Sequence, residues 1–345
     1  MEEMTSGTQR FVTVIIPVLN EEKYIADCIN SLLNDRYPAD RFEIIVADGG
    51  STDRTVAIVN EAFSSLNVRV LDNPKRFQAA GFNLAMENAD YADYLLRCDA
   101  HAVYPPGFIS AAAGTLNDHP EAGAIVWLAK TITSSRLSGW QKWVQSAIAF
   151  TQRSPLGVGG STYRRGGTGS GYIEHGWQGL FRREAVAAVG GYDETFRANE
   201  DSELSHRLIQ ANWKIWLEAS LNVVYYPRST ILGLARQYFI YGDGRAGTVL
   251  KHKMRMKLRQ LAPVAITAGT PVLVLSSLFS SYFLLPLAAY AGLVVSLAGY
   301  EAFKTRDARL LLSALAFPVM HYSWGAGFIR HLIKGCYQRA LAEGG

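Results

Sequence analysis

The sequence predicts an α/β fold, a mostly parallel sheet with helices on both faces, followed by a carboxy-terminal α-helical region of transmembrane character. Three observations predict it. Short apolar runs of strand length alternate with helical patterns through the first hundred residues. Asp48 and Asp99 close two of those runs, and Pro17 a third. Residues 261–300 contain no Asp, Glu, Lys or Arg at all.

Residues 11–17 (FVTVIIP) form a β-branched run of strand length, and Asn20 then opens a helical pattern with Ile25, Cys28, Ile29 and Leu32 on one side. Residues 43–47 (EIIVA) are a second buried strand, leading into Asp48-Gly49-Gly50-Ser51. A helix pattern follows from Thr52, residues 68–71 give a third strand, residues 78–88 a helix and residues 94–98 a fourth strand. Apolar strands without alternation are what a parallel sheet covered on both faces demands. Ligands of such sheets bind beyond the carboxyl ends of the strands, where Pro17, Asp48 and Asp99 fall. Residues 153–171 are glycine-rich and aperiodic, an acceptor-gating loop or a disordered surface insertion. Helical character resumes at residues 184–189 and 203–210, on either side of Asn199-Glu200-Asp201.

The net charge of +4 is modest, and no nucleic-acid partner is expected. Its distribution says more, because residues 251–259 (KHKMRMKLR) hold five Lys and Arg in nine positions. A helix crossing the apolar core of a bilayer needs roughly 20 residues. The uncharged residues 261–300 therefore fit two spans, with a turn near residues 276–282. On a helix, Met254, Leu258 and Leu261 share one face and Lys251, Arg255 and Arg259 another, which suits an anionic inner leaflet. Positive charge retained inside then puts the first 250 residues in the cytoplasm, on a multi-pass protein of the inner (plasma) membrane. A third apolar stretch, residues 310–329, contains Pro318 and His321; a full span there would put Arg330, Lys334 and Arg339 outside, against the usual bias. Residues 1–10 are polar and lack the apolar core of a signal peptide. Cys28, Cys98 and Cys336 are far apart and without metal-ligand spacing, as expected of reduced thiols.

Asp99 and His101 flank one residue at the tip of a strand, and side chains two apart in an extended segment share a face. Both can reach one ion, Mg²⁺ or Mn²⁺, against a pyrophosphate. Alone, such a pair is more often a pair of surface residues. Asp48, before two glycines, suits a hydrogen bond to a base or ribose, or caps the next helix. Asp201, with Glu200 ahead of an apolar helix, suits a general base for a hydroxyl, a helix cap, or both. Arg236 and Arg245, around residues 237–245 (QYFIYGDGR), are phosphate ligands or interfacial anchors.

With these residues in place, the chain resembles glycosyltransferase family 2, and within it the succinoglycan-biosynthesis branch. The likeness rests on residues 14–22 (VIIPVLNEE), 47–53 (ADGGSTD), 99–101 (DAH) and 199–201 (NED), with 180–184 (LFRRE) and 189–193 (VGGYD), in that order. It implies a GT-A catalytic domain over residues 1–245, a basic interface segment over 246–260 and transmembrane helices and tail over 261–345. It also implies that Pro17, Glu21 and Asp48 bind uridine, that Asp99 and His101 hold the metal and diphosphate, and that Asp201 is the base of an inverting transfer. Glu200, Arg236, Gln237 and Arg245 are candidates for the diphosphate or the acceptor. Processive members carry Gln-x-x-Arg-Trp where this chain has Gln237-Tyr238-Phe239-Ile240-Tyr241, so one sugar per encounter is expected. The expected partners are a UDP-sugar donor, best UDP-glucose, a lipid-linked saccharide acceptor on polyprenyl diphosphate, and membrane lipids. Transfer directly to polyprenyl phosphate is the close variant, and a non-catalytic nucleotide-binding membrane scaffold the rival from another class.

Overall fold

A computed structural model describes residues 9–158, 169–174, 176 and 178–343, with side chains as far as residue 335. Most of the glycine-rich stretch, residues 159–168, lies outside them. The chain divides into two compact units, Met1–Lys130 with Gly167–Tyr225 and Thr131–Gly166 with Tyr226–Gly345.

The first unit is built on a sheet of strands β1 (Val12–Val18), β2 (Phe42–Asp48), β3 (Val68–Asp72), β4 (Tyr94–Arg97), β5 (Ala122–Thr131), β6 (Gly171–Ile173), β7 (Leu180–Arg182) and β8 (Lys214–Tyr225). Their order across the sheet is β3-β2-β1-β4-β7-β5-β8-β6. The strands β1 to β4 are mutually parallel, with Val14 opposite both Ile44 and Leu96. β7 runs antiparallel to β4 and β5, and β6 antiparallel to β8, so the sheet is mixed. Helices α1 (Ile25–Leu33), α2 (Thr55–Phe63), α3 (Gln78–Glu87) and α4 (Phe108–Asp118) complete the strand–helix alternation, and α7 (Arg183–Ala188) and α8 (Glu200–Gln210) follow later.

Almost every residue of β1, β2 and β4 is buried, which explains why their sequences read as unbroken apolar runs. One core joins Val14, Ile16, Ile44 and Leu96 to the apolar stripe Ile25, Cys28, Ile29 and Leu32 of α1. Each such aliphatic side chain stabilises the fold by about 1.5–3 kcal/mol. α1 begins five residues after Asn20, which instead adopts a left-handed turn at φ 58°. β6 emerges from the end of the glycine-rich stretch, where no periodicity announced it, and sets Tyr172 opposite Trp216.

The second unit is helical: α5 (Gly139–Arg153), α6 (Pro155–Val158), α9 (Ile231–Lys251), α10 (Leu258–Ser276), α11 (Leu285–Thr305) and α12 (Ser313–Glu343). Val144 and Ile148 of α5, Leu234 and Tyr238 of α9, and Ala316 and Met320 of α12 form its core. α9 and α12 approach closely because Gly242 meets the Trp324 backbone and Gly327 that of Phe239, where any Cβ would overlap. The stretch at residues 310–329, read as a third apolar segment, is thus largely a packed helix carrying buried Phe317, Met320 and Phe328.

Two segments among the described residues are long and apolar enough to cross a membrane, Leu258–Ser276 and Ser281–Thr305, separated by a turn where the sequence expects one. They leave large apolar side chains exposed, Leu258 at 82% and Phe303 at 85% among them. The basic segment before them is not one amphipathic helix, as its periodicity suggested. α9 stops at Lys251, Lys253 turns left-handed at φ 50°, and α10 starts only at Leu258.

Trp127 is fully buried, with its ring edge-on to Phe108 at 4.8 Å between centroids. Trp127→Ala is expected to cost about 3–5 kcal/mol, whereas Leu66→Ala, at a half-exposed side chain, stays within about 0.5 kcal/mol. Urea midpoints of the full chain in detergent check both.

Candidate functional site

The site of the first unit forms where β1, β2 and β4 end side by side. Gly49 donates from its backbone to the Val18 carbonyl at 2.8 Å, and Asn73 donates to the Asp48 carbonyl at 2.7 Å, so the β1, β2 and β3 ends are tied together. The Asp48 carboxylate is buried and accepts from the Gly50 amide at 3.0 Å, the Ser51 amide at 3.0 Å and the Ser51 hydroxyl at 2.5 Å. Gly50, at φ 82°, gives the turn a conformation that other residues adopt only under strain. Asp48 therefore closes its own turn and does not cap α2. The β1 loop is stitched to the same turn: Asn20 donates to the Ser51 hydroxyl at 2.9 Å, Thr52 donates to the Asn20 side chain at 2.8 Å, and Glu21 donates to the Thr55 hydroxyl at 2.7 Å.

Asp99 and His101 sit in a turn, not in the extended segment expected of them. β4 ends at Arg97, and the Ala102 amide donates to the Asp99 carbonyl at 3.1 Å. Their spacing is thus set by the turn and not by strand alternation. Tyr104, buried in the core, fixes this turn by accepting from the Asp99 amide at 3.0 Å. Below it, the Cys28 thiol donates to the Asp99 carbonyl at 3.5 Å. Cys28 and Cys98 are both buried and free, and burial pushes both thiols up, so they remain protonated. The half-buried His101 ring lies with Nδ1 3.4 Å from the Glu21 carboxylate. Among the described residues, no three acids, histidines or cysteines meet closely enough to cage a metal by themselves. A hard cation held here by Asp99 and His101 would take its remaining oxygens from a ligand, the usual arrangement for Mg²⁺ at phosphates.

Asp201 stands in the first turn of α8, which follows the left-handed Asn199 at φ 66° and holds Glu200, Asp201 and Glu203 near the positive helix end. Its carboxylate accepts from the Ser202 amide at 2.7 Å. Glu200, expected as a diphosphate or acceptor contact, is buried and ion-paired at 2.8 Å with Arg97 at the end of β4. The same guanidinium donates to the Tyr192 hydroxyl at 3.1 Å and to the Gln78 side chain at 2.9 Å. Burial works against its charge, but Tyr192, Glu200, Asp99 and Asp201 act the other way and its pKa is raised. Asp99 and Asp201 thus lie within the field of one buried cation.

Pro17, Glu21, Asp48, Asp99, His101, Glu200 and Asp201 belong to the first unit, and Arg236, Gln237 and Arg245 lie on α9 of the second. There Gln237 donates to the Tyr241 hydroxyl at 3.1 Å, and Arg236 is exposed. The sequence reading passed over Arg97, although an arginine closing the apolar run YLLR is itself a signal: a charge in a buried strand requires a partner. It also passed over Arg76, whose exposed guanidinium would lie 3.6 Å from a Cβ at Gly50, against the Asp48 turn.

Residues 13–190 match the family described as Glycosyl transferase family 2. The chain is 38% identical over 345 residues to the succinoglycan biosynthesis protein ExoA of Rhizobium meliloti (strain 1021), covering 99% of each. It is 25% identical over 333 residues to the dolichyl N-acetyl-alpha-D-glucosaminyl phosphate 3-beta-D-2,3-diacetamido-2,3-dideoxy-beta-D-glucuronosyltransferase of Methanococcus voltae, covering 94% of this chain and 98% of that one. Among solved structures it is similar to mannosyltransferase PcManGT from Pyrobaculum calidifontis, determined with GDP-Man and Mn²⁺. The TM-score is 0.64 at 20% identity, over 95% of this chain and 88% of that one, a likeness of fold.

Asp48→Ala removes the acceptor of two amides and a hydroxyl. Faster hydrogen exchange at Gly50 and Ser51 is expected, by about fivefold for each kcal/mol of lost protection, with the β1 and β4 amides unchanged. Mass-spectrometric exchange of the two proteins checks it.

Proposed function

Given that the chain belongs to glycosyl transferase family 2 and is a GT-A glycosyltransferase, we propose that it moves one sugar from a UDP-sugar, best UDP-glucose, to a lipid-linked saccharide with inversion at the anomeric carbon. The observation that carries the reading is the gathering of the Asp48 turn, the Asp99–His101 turn and Asp201 at one end of the sheet, the last two around the Arg97 cation.

In this reading Pro17, Glu21 and Asp48 receive the nucleoside, and Glu21 also steadies the His101 ring. Asp99 and His101 face the diphosphate and are the residues that would hold a divalent cation, Mn²⁺ or Mg²⁺. When bound, that ion supplies charge stabilisation for the departing diphosphate. Asp201 accepts the proton of an acceptor hydroxyl as its oxygen bonds to the anomeric carbon. The bond from that carbon to the diphosphate breaks on the opposite face, and its electron pair leaves with UDP. One base suffices for such a displacement. Arg236, Gln237 and Arg245 are offered as contacts for the phosphates of donor or acceptor.

The likeness to ExoA supports a role in cell-surface polysaccharide assembly, and the relative named for a dolichyl-linked sugar phosphate supports a lipid-linked saccharide over bare polyprenyl phosphate. The two apolar segments with their exposed side chains support anchorage in the plasma membrane, with residues 251–259 at an anionic cytoplasmic leaflet.

Purified full-length protein is to be incubated with a panel of radiolabelled UDP- and GDP-sugars, Mn²⁺ and polyprenyl-diphosphate-linked saccharide. One sugar is expected to transfer from a UDP-sugar, with Asp201→Asn lowering kcat by about 10²–10⁴-fold and a chelator abolishing turnover. Absence of transfer from every donor, with Asp201→Asn no different from wild type, contradicts the proposal. Transfer to bare polyprenyl phosphate alone would select the close variant.

A further inference from the structure

We infer that Arg97 and Glu200 act as a positioning pair, which holds the Asp201 carboxylate in register with the Asp99 turn for proton transfer. The inference rests on the glycosyltransfer reading above and concerns residues to which that reading gives no role.

The pair lies one residue from each functional turn. Glu200 directly precedes Asp201, and Arg97 is separated from Asp99 only by Cys98. Arg97 is 4% exposed, and the two terminal nitrogens of its guanidinium are occupied: Nη1 by the Tyr192 hydroxyl, Nη2 by the Gln78 side chain and the Glu200 carboxylate. Three segments therefore converge on the planar fork at the end of β4: the start of α3, the loop carrying Tyr192 and the start of α8. Tyr192 is itself immobilised. Its amide donates to the Asn83 side chain at 2.8 Å, Asn83 donates back to its carbonyl at 2.8 Å, and the Phe82 ring meets it edge-on at 4.8 Å. The guanidinium carbon sits 5.2 Å from the centroid of the Tyr192 ring. Opposite this fixed frame, the left-handed Asn199 aims the first turn of α8, and Glu200 is the side chain of that turn that reaches the frame.

Stability alone does not account for such a pair. Two buried charges of this kind are replaced by well-packed apolar side chains at little or no cost, and often with a gain. What apolar packing does not reproduce is a fork that fixes direction as well as distance. A misplacement of about 1 Å at a reacting group lowers turnover about 100-fold.

The test is the double variant Arg97→Met/Glu200→Met in the full-length protein, alongside Glu200→Gln and Arg97→Lys. The double variant is expected to keep a melting temperature within a few degrees of wild type and a donor KM within about twofold, because the donor contacts lie elsewhere, while kcat falls about 100-fold. Glu200→Gln, which keeps the acceptor oxygen and the volume, is expected to retain more kcat than the double variant. Wild-type kcat in the double variant overturns the inference, as does loss of kcat only in proportion to lost folded protein. Should the double variant fail to fold, Glu200→Gln and Arg97→Lys carry the same division between kcat and KM. If the wild type transfers no sugar, the glycosyltransfer reading fails separately. The pair is then judged from a crystal structure of the double variant, or of Glu200→Gln if only that folds: a shift of residues 199–201 by about 1 Å supports it, and an unmoved turn overturns it.

Discussion

A guanidinium buried at the end of a central strand has to be neutralised where it stands, because water cannot reach it. In this protein that constraint organises the site. Arg97 closes β4, and its charge draws in Glu200, Tyr192 and Gln78 from three other segments. Meeting the demand brings the first turn of α8 to the carboxyl end of the parallel strands, which is the ligand-binding end of such sheets. Residues a hundred positions apart in the chain thereby come to share one electrostatic environment. The chemistry proposed for Asp99 and Asp201 depends on that convergence, since neither turn alone contains both a diphosphate ligand and a base.

The parallel half of the sheet was legible because burial on both faces leaves uninterrupted apolar runs, and β1 to β4 lie within a residue or so of where those runs predict. The antiparallel half was not. β6 and β7 are three residues each, and β8 interleaves Glu218, Ser220 and Asn222 with its apolar positions, so neither length nor burial marks them. Within the site, the order of Asp48, Asp99 and Asp201 was readable, and so was their position at strand and helix ends. Their local geometry was not, because Asp99 and His101 follow the strand in a turn, where two-residue alternation no longer applies. Arg97 left a visible mark, an arginine in an apolar run, whereas its partner Glu200 could not be known without the fold.

In the helical unit, composition and packing diverge. Two apolar stretches are flanked by exposed leucine, valine and phenylalanine side chains, while a third of similar composition carries glycines that let α12 press against α9. A helix apolar on all sides is buried, whether by protein or by lipid, and hydrophobicity alone does not say which. The glycines do say, since a residue without Cβ is needed where two backbones nearly touch. The basic residues 251–259 likewise obey a helical period but are broken by the left-handed Lys253, a conformation that charge spacing does not announce.

The central claim is that the acids of both turns face one cleft around a sugar-nucleotide. It is tested most directly by a structure of the full-length protein with Mn²⁺ and an inert UDP-sugar analogue. The account predicts the diphosphate beside Asp99 and His101, with the anomeric carbon exposed toward the Asp201 carboxylate on the face opposite the leaving group. A bound nucleotide whose sugar points away from Asp201, or carboxylates of Asp99 and Asp201 that open onto different surfaces, would contradict it.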